Sequence, residues 1–237
     1  MPPARLARLN PLLALLFVVA ALPAGADVGG TLSLQTDARS RGMSYSSNRP
    51  SAQLGLAWDG EGGWYGGGQL GYVRFDAQRR GAWLQAYGGR VFSLAPGLDG
   101  EAGVIAHAYE NVSRYDYQEA YAGLLGEGWQ LRLYASPDYY GIGQRSLYAE
   151  LNARLPLAAG WTAVGHVGVL RAFGQPAMTY GIPPRATRQD VRVGASHPLG
   201  DSSDLQLAWV ATSRGGPYTW TDSPRRRAVV LTMTTAF

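Results

Sequence analysis

The final run of this chain alternates to its last residue: Val229, Leu231, Met233, Thr235 and Phe237 share one face, and each suits lipid. Successive side chains of a strand point to opposite faces, so such a run presents one apolar side over its whole length. A terminal strand that stops on an aromatic ring has the form of the last strand of a bacterial outer-membrane β-barrel. There the aromatic residue joins the interfacial girdle. The barrel-assembly machinery reads that end of the strand, which makes the machinery an expected partner through Phe237.

The opposite end points the same way. Arg5 and Arg8 precede a short apolar stretch, residues 11–22, and Ala24-Gly25-Ala26 is a small-x-small cleavage site. Together they read as a secretory signal peptide over residues 1–26, with cleavage set by Ala24 and Ala26. The apolar stretch is shorter than the roughly 20 residues that a spanning helix requires. The expected organisation is a leader, residues 1–26, followed by one outer-membrane barrel domain, residues 27–237, in a Gram-negative bacterium.

Charge and composition narrow the alternatives. The chain carries 21 basic and 17 acidic residues, a formal +4, and Arg5 and Arg8 leave with the leader. A nearly balanced mature chain lacks the excess cationic charge of a nucleic-acid binder, so no nucleic acid is expected among its partners. Cysteine is absent; a closed barrel needs no disulfides, because its strands satisfy one another's backbone groups. The hydrophobic fraction is only 46%, beside 32 glycines, 14 tyrosines and 7 tryptophans. That balance suits a wall in which alternate residues face lipid.

Residues 146–155 show the alternation most clearly. Leu147, Ala149, Leu151, Ala153 and Leu155 point one way, and Ser146, Tyr148, Glu150, Asn152 and Arg154 the other. A soluble sandwich can alternate in the same way, so one segment does not decide. Further strands are predicted over 31–39, 51–58, 64–75, 82–93, 101–109, 117–125, 129–135, 161–172, 190–196, 204–212 and 227–237, twelve in all. An even number is the rule for single-chain bacterial barrels. In the first of them Leu32, Leu34, Thr36 and Ala38 fall on one face.

The connections divide into two kinds. Short turns fall at 59–63, 94–100, 126–128, 156–160 and 198–203, and mostly longer segments at 40–50, 76–81, 110–116, 136–145, 173–188 and 213–226. Strict interleaving of the two is expected when turns face the periplasm and loops face outward. Trp58, Trp64, Trp129 and Trp161 flank the short turns, where a lower aromatic belt belongs.

Several segments resemble the TorF family of proteobacterial outer-membrane porins. One is Ser40-Arg41-Gly42-Met43-Ser44, matching an Arg-Gly-aliphatic-Ser turn after the first strand. Others are Gly63-Trp64-Tyr65-Gly66-Gly67 and the central hairpin, Leu133 to Gly141 followed by Ser146 to Glu150. The resemblance covers most of residues 30–170 and rests on Arg41, Gly42, Ser44, Asp138, Tyr139 and Gly141. It implies an outer-membrane channel whose solute its motifs do not specify.

If Leu147 and Leu151 face lipid, the opposite face forms a lumen lined by Arg132, Tyr148, Glu150, Asn152, Arg154, Asp190 and Arg192. Mixed arginine and carboxylate across a constriction can orient polar solutes; a narrow barrel can equally fill its interior with such pairs and conduct little. Arg185 and Arg188, at the end of the longest loop, are placed at the outer mouth, lining it or meeting lipopolysaccharide phosphates. Arg225, Arg226 and Arg227 suit lipopolysaccharide. The histidines His107, His166 and His197 lack metal-ligand spacing, so neither metal nor cofactor is expected. Ser196 and His197 are sequence neighbours on opposite faces and form no catalytic pair. Passive diffusion of small polar solutes is the expected function. A non-conducting surface barrel comes second and a lipid-modifying enzyme third.

Overall fold

The computed structural model describes residues 27–74, 79–173, 187–214 and 225–237. The predicted leader with Ala24 and Ala26, and Arg185, lie outside the described residues. Twelve long antiparallel strands close into a barrel, each hydrogen-bonded to its sequence neighbours, with the first pairing the last. Strand β1 (Asp27–Gln35) is followed by two very short strands, β2 (Arg39–Ser40) and β3 (Met43–Ser44), which pair only with each other. The wall resumes with β4 (Ser51–Asp59), β5 (Trp64–Arg74), β6 (Arg80–Ala95), β7 (Leu98–Tyr109) and β8 (Tyr117–Gly126). It continues through β9 (Trp129–Ser136), β10 (Arg145–Pro156), β11 (Thr162–Phe173) and β12 (Thr187–Pro198), and ends with β13 (Ser203–Thr212) and β14 (Arg227–Ala236).

Every predicted long strand is present, most with ends shifted by a few residues. Alternation is the reason they are legible, and the pairing preserves it around the wall. Leu151 lies opposite Leu131 and Val167, and Asn152 opposite Gln130 and His166. Leu and Val therefore share the outer surface while amides and histidine share the inner one. Leu155, Val104 and Val229 are more than 60% exposed, as side chains built to meet lipid are.

Closure at the seam is made by the β1–β14 ladder, from Gln35 opposite Thr232 to Thr31 opposite Ala236, and is extended by Phe237. The Gly30 N–H donates to the Phe237 carbonyl at 2.8 Å, and the Phe237 N–H donates to the Gly30 carbonyl at 3.0 Å. The Phe237 ring lies over Gly30, where a side chain on that residue would collide with it. Phe237, Trp64, Trp129 and Trp161 are exposed around the end that carries the short turns, as an interfacial belt requires.

The first strand is the one clear departure. It ends at Gln35, and Ala38, which alternation puts on one face with the exposed Leu32 and Leu34, is 1% exposed inside the barrel. The chain turns inward at Asp37, because that buried carboxylate gathers its own donors there. Arg39 Nε donates to Asp37 Oδ2 at 2.6 Å, Ser44 Oγ donates to Oδ1 at 2.5 Å, and Ser46 Oγ lies 3.0 Å from the same oxygen.

Candidate functional site

Strands β2 and β3 form a hairpin whose tip, Arg41-Gly42, has positive φ at both residues (48° and 74°). Two-residue hairpins favour this geometry, and it prefers glycine at the second position. Gly42 is further confined by space: a Cβ there would press on the side chains of Asp190 and Thr212. The Arg-Gly-x-Ser motif is therefore the tip of a finger reaching across the lumen, with Ser44 tying its base to Asp37.

Arg41 completes the crossing. Its Nη1 and Nη2 donate to Glu119 Oε1 and Oε2 at 2.9 and 2.6 Å, and Glu119 stands on β8, on the far side of the barrel from β1. The guanidinium lies over the Tyr148 ring at 4.3 Å and the Tyr134 ring at 5.1 Å. A fork-to-fork pair is the strongest geometry open to arginine and carboxylate. Removing either partner would strand a buried charge, which is far costlier than losing a surface pair.

A second inward element packs on the finger. Between β9 and β10 the chain makes a tight turn in which Asp138 Oδ1 accepts from the Gly143 N–H at 2.6 Å. Tyr140 and Gly141 there adopt positive φ, and a side chain on Gly141 would meet the Arg114 carbonyl. The turn drives Tyr139 and Tyr140 into the barrel, where both are fully buried. The Tyr140 hydroxyl bonds to that of Tyr45, just past the hairpin, and Tyr139 lies under Arg41 at 5.5 Å. Trp83, Tyr109 and Tyr117 complete this aromatic plug. Arg41, Gly42, Ser44, Asp138, Tyr139 and Gly141, distant in sequence, thus converge on one assembly.

Beneath the hairpin tip lies a polar cavity of about 260 Å³, lined among others by Arg41, Glu119, Glu150, Asn152, Asp190 and Arg192. His166 bridges its wall: Nε2 lies 2.7 Å from Asp190 Oδ1 and Nδ1 lies 2.8 Å from Asn152 Oδ1. The Tyr148 hydroxyl adds contacts of 3.3 Å to both Asp190 oxygens. Lower down, buried Glu101 accepts from Arg132 Nε and Nη2 at 2.5 and 2.8 Å and from the Tyr65 hydroxyl at 2.8 Å. Glu150 accepts from the Tyr134 hydroxyl at 3.0 Å. Arg192 and Arg154 have no carboxylate within ion-pair distance among the described residues.

The structure therefore places Arg132, Tyr148, Glu150, Asn152, Asp190 and Arg192 on the inner wall, with Arg154 exposed toward its lower end. Arg188 is a correction. Its sequence position assigns it to the mouth, but it sits on β12 inside the barrel, 2% exposed, with Nη1 3.0 Å from Met43 Sδ. The physical reason is that β12 already begins at Thr187, so Arg188 belongs to the wall and not to the loop. Ser196 is buried in the lumen while His197 packs on the Trp161 ring at 4.8 Å, so the two do face apart. Among the described residues, no group of three histidines and carboxylates is arranged to hold a metal.

Sequence reasoning missed Glu119, Glu101, Asp37 and Tyr45. Glu119 and Glu101 lie on the polar face of strands whose outer residues alternation assigns, so the same rule would have found them. Asp37 carries no signal until the hairpin beyond it is known.

A finger held against its far wall should be sensitive at its tip. Gly42→Val adds a β-branched side chain to a left-handed position, which costs about 1–2 kcal/mol, besides the collision with Asp190 and Thr212. The refolded variant is expected to be cut by trypsin after Arg41 much faster than the parent, since unseating the tip exposes that bond.

A closed antiparallel wall, an apolar outer belt bounded by aromatics and a polar interior together define a transmembrane β-barrel of the outer-membrane type. The model of a bacterial family described as protein of unknown function (Gcw_chp) matches residues 20–237, and the chain belongs to that family. Its fold is shared by the KdgM porin, with a TM-score of 0.53 and 8% identity over 90% of this chain and 99% of that one. The NanC porin aligns with a TM-score of 0.55 and 8% identity over 89% and 99% of the two chains. No curated protein matches the chain in sequence.

Proposed function

We propose that the protein is an outer-membrane channel through which small hydrophilic solutes diffuse, narrowed by the inward hairpin and mildly preferring anions. The observation that carries this reading is the cavity at the Arg41 tip, whose lining includes arginine, carboxylate and amide side chains of the inner wall. The motif resemblance to the TorF porins supports the same reading, and so does the fold shared with two porins. Anion preference is supported by Arg192 and Arg154, which stand on the inner face without carboxylate partners among the described residues, whereas Arg41 and Arg132 are neutralised by Glu119 and Glu101. Export through a cleaved leader and insertion by the barrel-assembly machinery at Phe237 belong to this reading.

The dense aromatic packing around Tyr45, Tyr109 and Tyr140 favours a second reading, a barrel sealed at its outer half that serves at the surface. Planar-bilayer recording of the refolded mature chain separates the two. The channel reading expects discrete ohmic steps, with a reversal potential in a salt gradient displaced toward that of the anion. A folded barrel that stays silent supports the sealed one.

A further inference from the structure

We infer that outward-facing arginines at the upper edge of the apolar belt, Arg74 with Arg80 and Arg145 with Arg171, bind the phosphate groups of lipopolysaccharide. The inference rests on the outer-membrane placement proposed above, with the long loops outside. Strand register puts these side chains on the lipid surface. Arg74 follows Leu70 and Tyr72 on the outer face of β5 and lies directly opposite Arg80 on β6. Arg171 lies opposite outward Leu147, and Arg145 opposite Phe173, on the adjoining strands β10 and β11.

Arg74 and Arg80 are like charges directly across a ladder, which repel and weaken the pairing. None of the four has a carboxylate partner among the described residues. The neighbouring carboxylate of Glu110 is turned instead to the Ala82 N–H, 2.9 Å away. Arg74 and Arg171 rest against the rings of Tyr72 and Phe173, at 5.9 and 5.4 Å, which holds their guanidinium groups at the rim of the belt. Arg74 and Arg80, directly opposed, have Cβ atoms about 5 Å apart, and Arg145 and Arg171 are diagonal neighbours about 7–8 Å apart, still within reach of long side chains. Two guanidinium forks can therefore close on one phosphate, the anion their planar donors fit best. The lower rim lacks this pattern: Arg90 is the outward arginine there among the described residues, and its Nε already donates to the Gly62 carbonyl at 3.0 Å. Such a one-sided distribution of cations fits a membrane whose phosphate-dense leaflet lies on that side.

The test titrates the refolded barrel in detergent with lipopolysaccharide, with the same lipopolysaccharide stripped of its lipid A phosphates, and with phosphatidylglycerol. The parent is expected to bind the intact form most tightly. In the R74S/R80S/R145S/R171S variant the dissociation constant should rise about tenfold or more, while its heat-modifiable gel shift and conductance match the parent. Equal affinity of parent and variant, equal binding of the dephosphorylated form, or equal binding of phosphatidylglycerol would each overturn the proposal. Should the fourfold variant not fold, R74S/R80S and R145S/R171S are titrated separately, and unchanged affinity in both overturns it equally. A parent that binds lipopolysaccharide but never conducts would sink the channel reading and leave this one standing.

Discussion

Excising residues 38–47 and joining Asp37 to Asn48 through two glycines should raise single-channel conductance several-fold. The hairpin is the only described segment that crosses the lumen from one wall to the other: it leaves β1, meets β12 at Asp190, and reaches β8 at Glu119. Permeation is limited by the narrowest section and by the charges that line it, and this finger carries Arg41 into the lumen to meet Glu119. The wall should survive its loss. Gln35 still pairs with Ser51 on β4 and Thr232 on β14, so strand register does not depend on what lies beyond Gln35.

Arg41→Ala separates steric closure from electrostatic anchoring. It keeps most of the finger but strands Glu119, whose Oε2 then has only the His107 imidazole, at 3.4 Å, within ion-pair distance among the described residues. The tip should then leave the wall intermittently, giving brief openings toward the conductance of the excised form, together with a shift in selectivity toward cations as the free carboxylate faces the pathway. Conductance that is unchanged in the excised chain would mean that solutes do not pass the hairpin, or that another segment sets the limit.

How much of this is legible in the sequence depends on which physical rule governs each part. Strands such as β10 are readable because lipid on one side and a polar lumen on the other force a period of two; Leu151 and Asn152 could not exchange roles without turning the strand over. The hairpin is not readable by that rule. From Asp37 to Ser40 the same period persists, yet the backbone has left the wall, and what directs it inward is the set of donors around Asp37, contributed by Arg39, Ser44 and Ser46. Those residues look like ordinary loop composition until they are seen to share one carboxylate. The motif residues Asp138, Tyr139 and Gly141 stand out through resemblance, but their role in the plug depends on a Tyr140 contact with Tyr45 across 95 positions, which no local pattern encodes.

Leu151→Arg should nearly abolish insertion into bilayers, and the reason is the register itself. Leu151 stands midway along β10, flanked on the outer surface by Leu131 and Val167. A guanidinium placed at that depth costs about 2–4 kcal/mol, a large share of the margin by which membrane barrels are stable. Asn152, one residue on, faces the lumen, where its Oδ1 contacts His166 and the cavity offers room. Asn152→Arg should therefore insert like the parent and show its effect in the conductance, with a stronger anion preference beside Arg192. Heat-modifiable gel mobility after refolding into vesicles reads the first effect, and bilayer recording the second. Equal insertion of the two variants would mean that the wall is turned by one residue. Every lumenal assignment made from β10, Glu150 and Tyr148 included, would then fall with it.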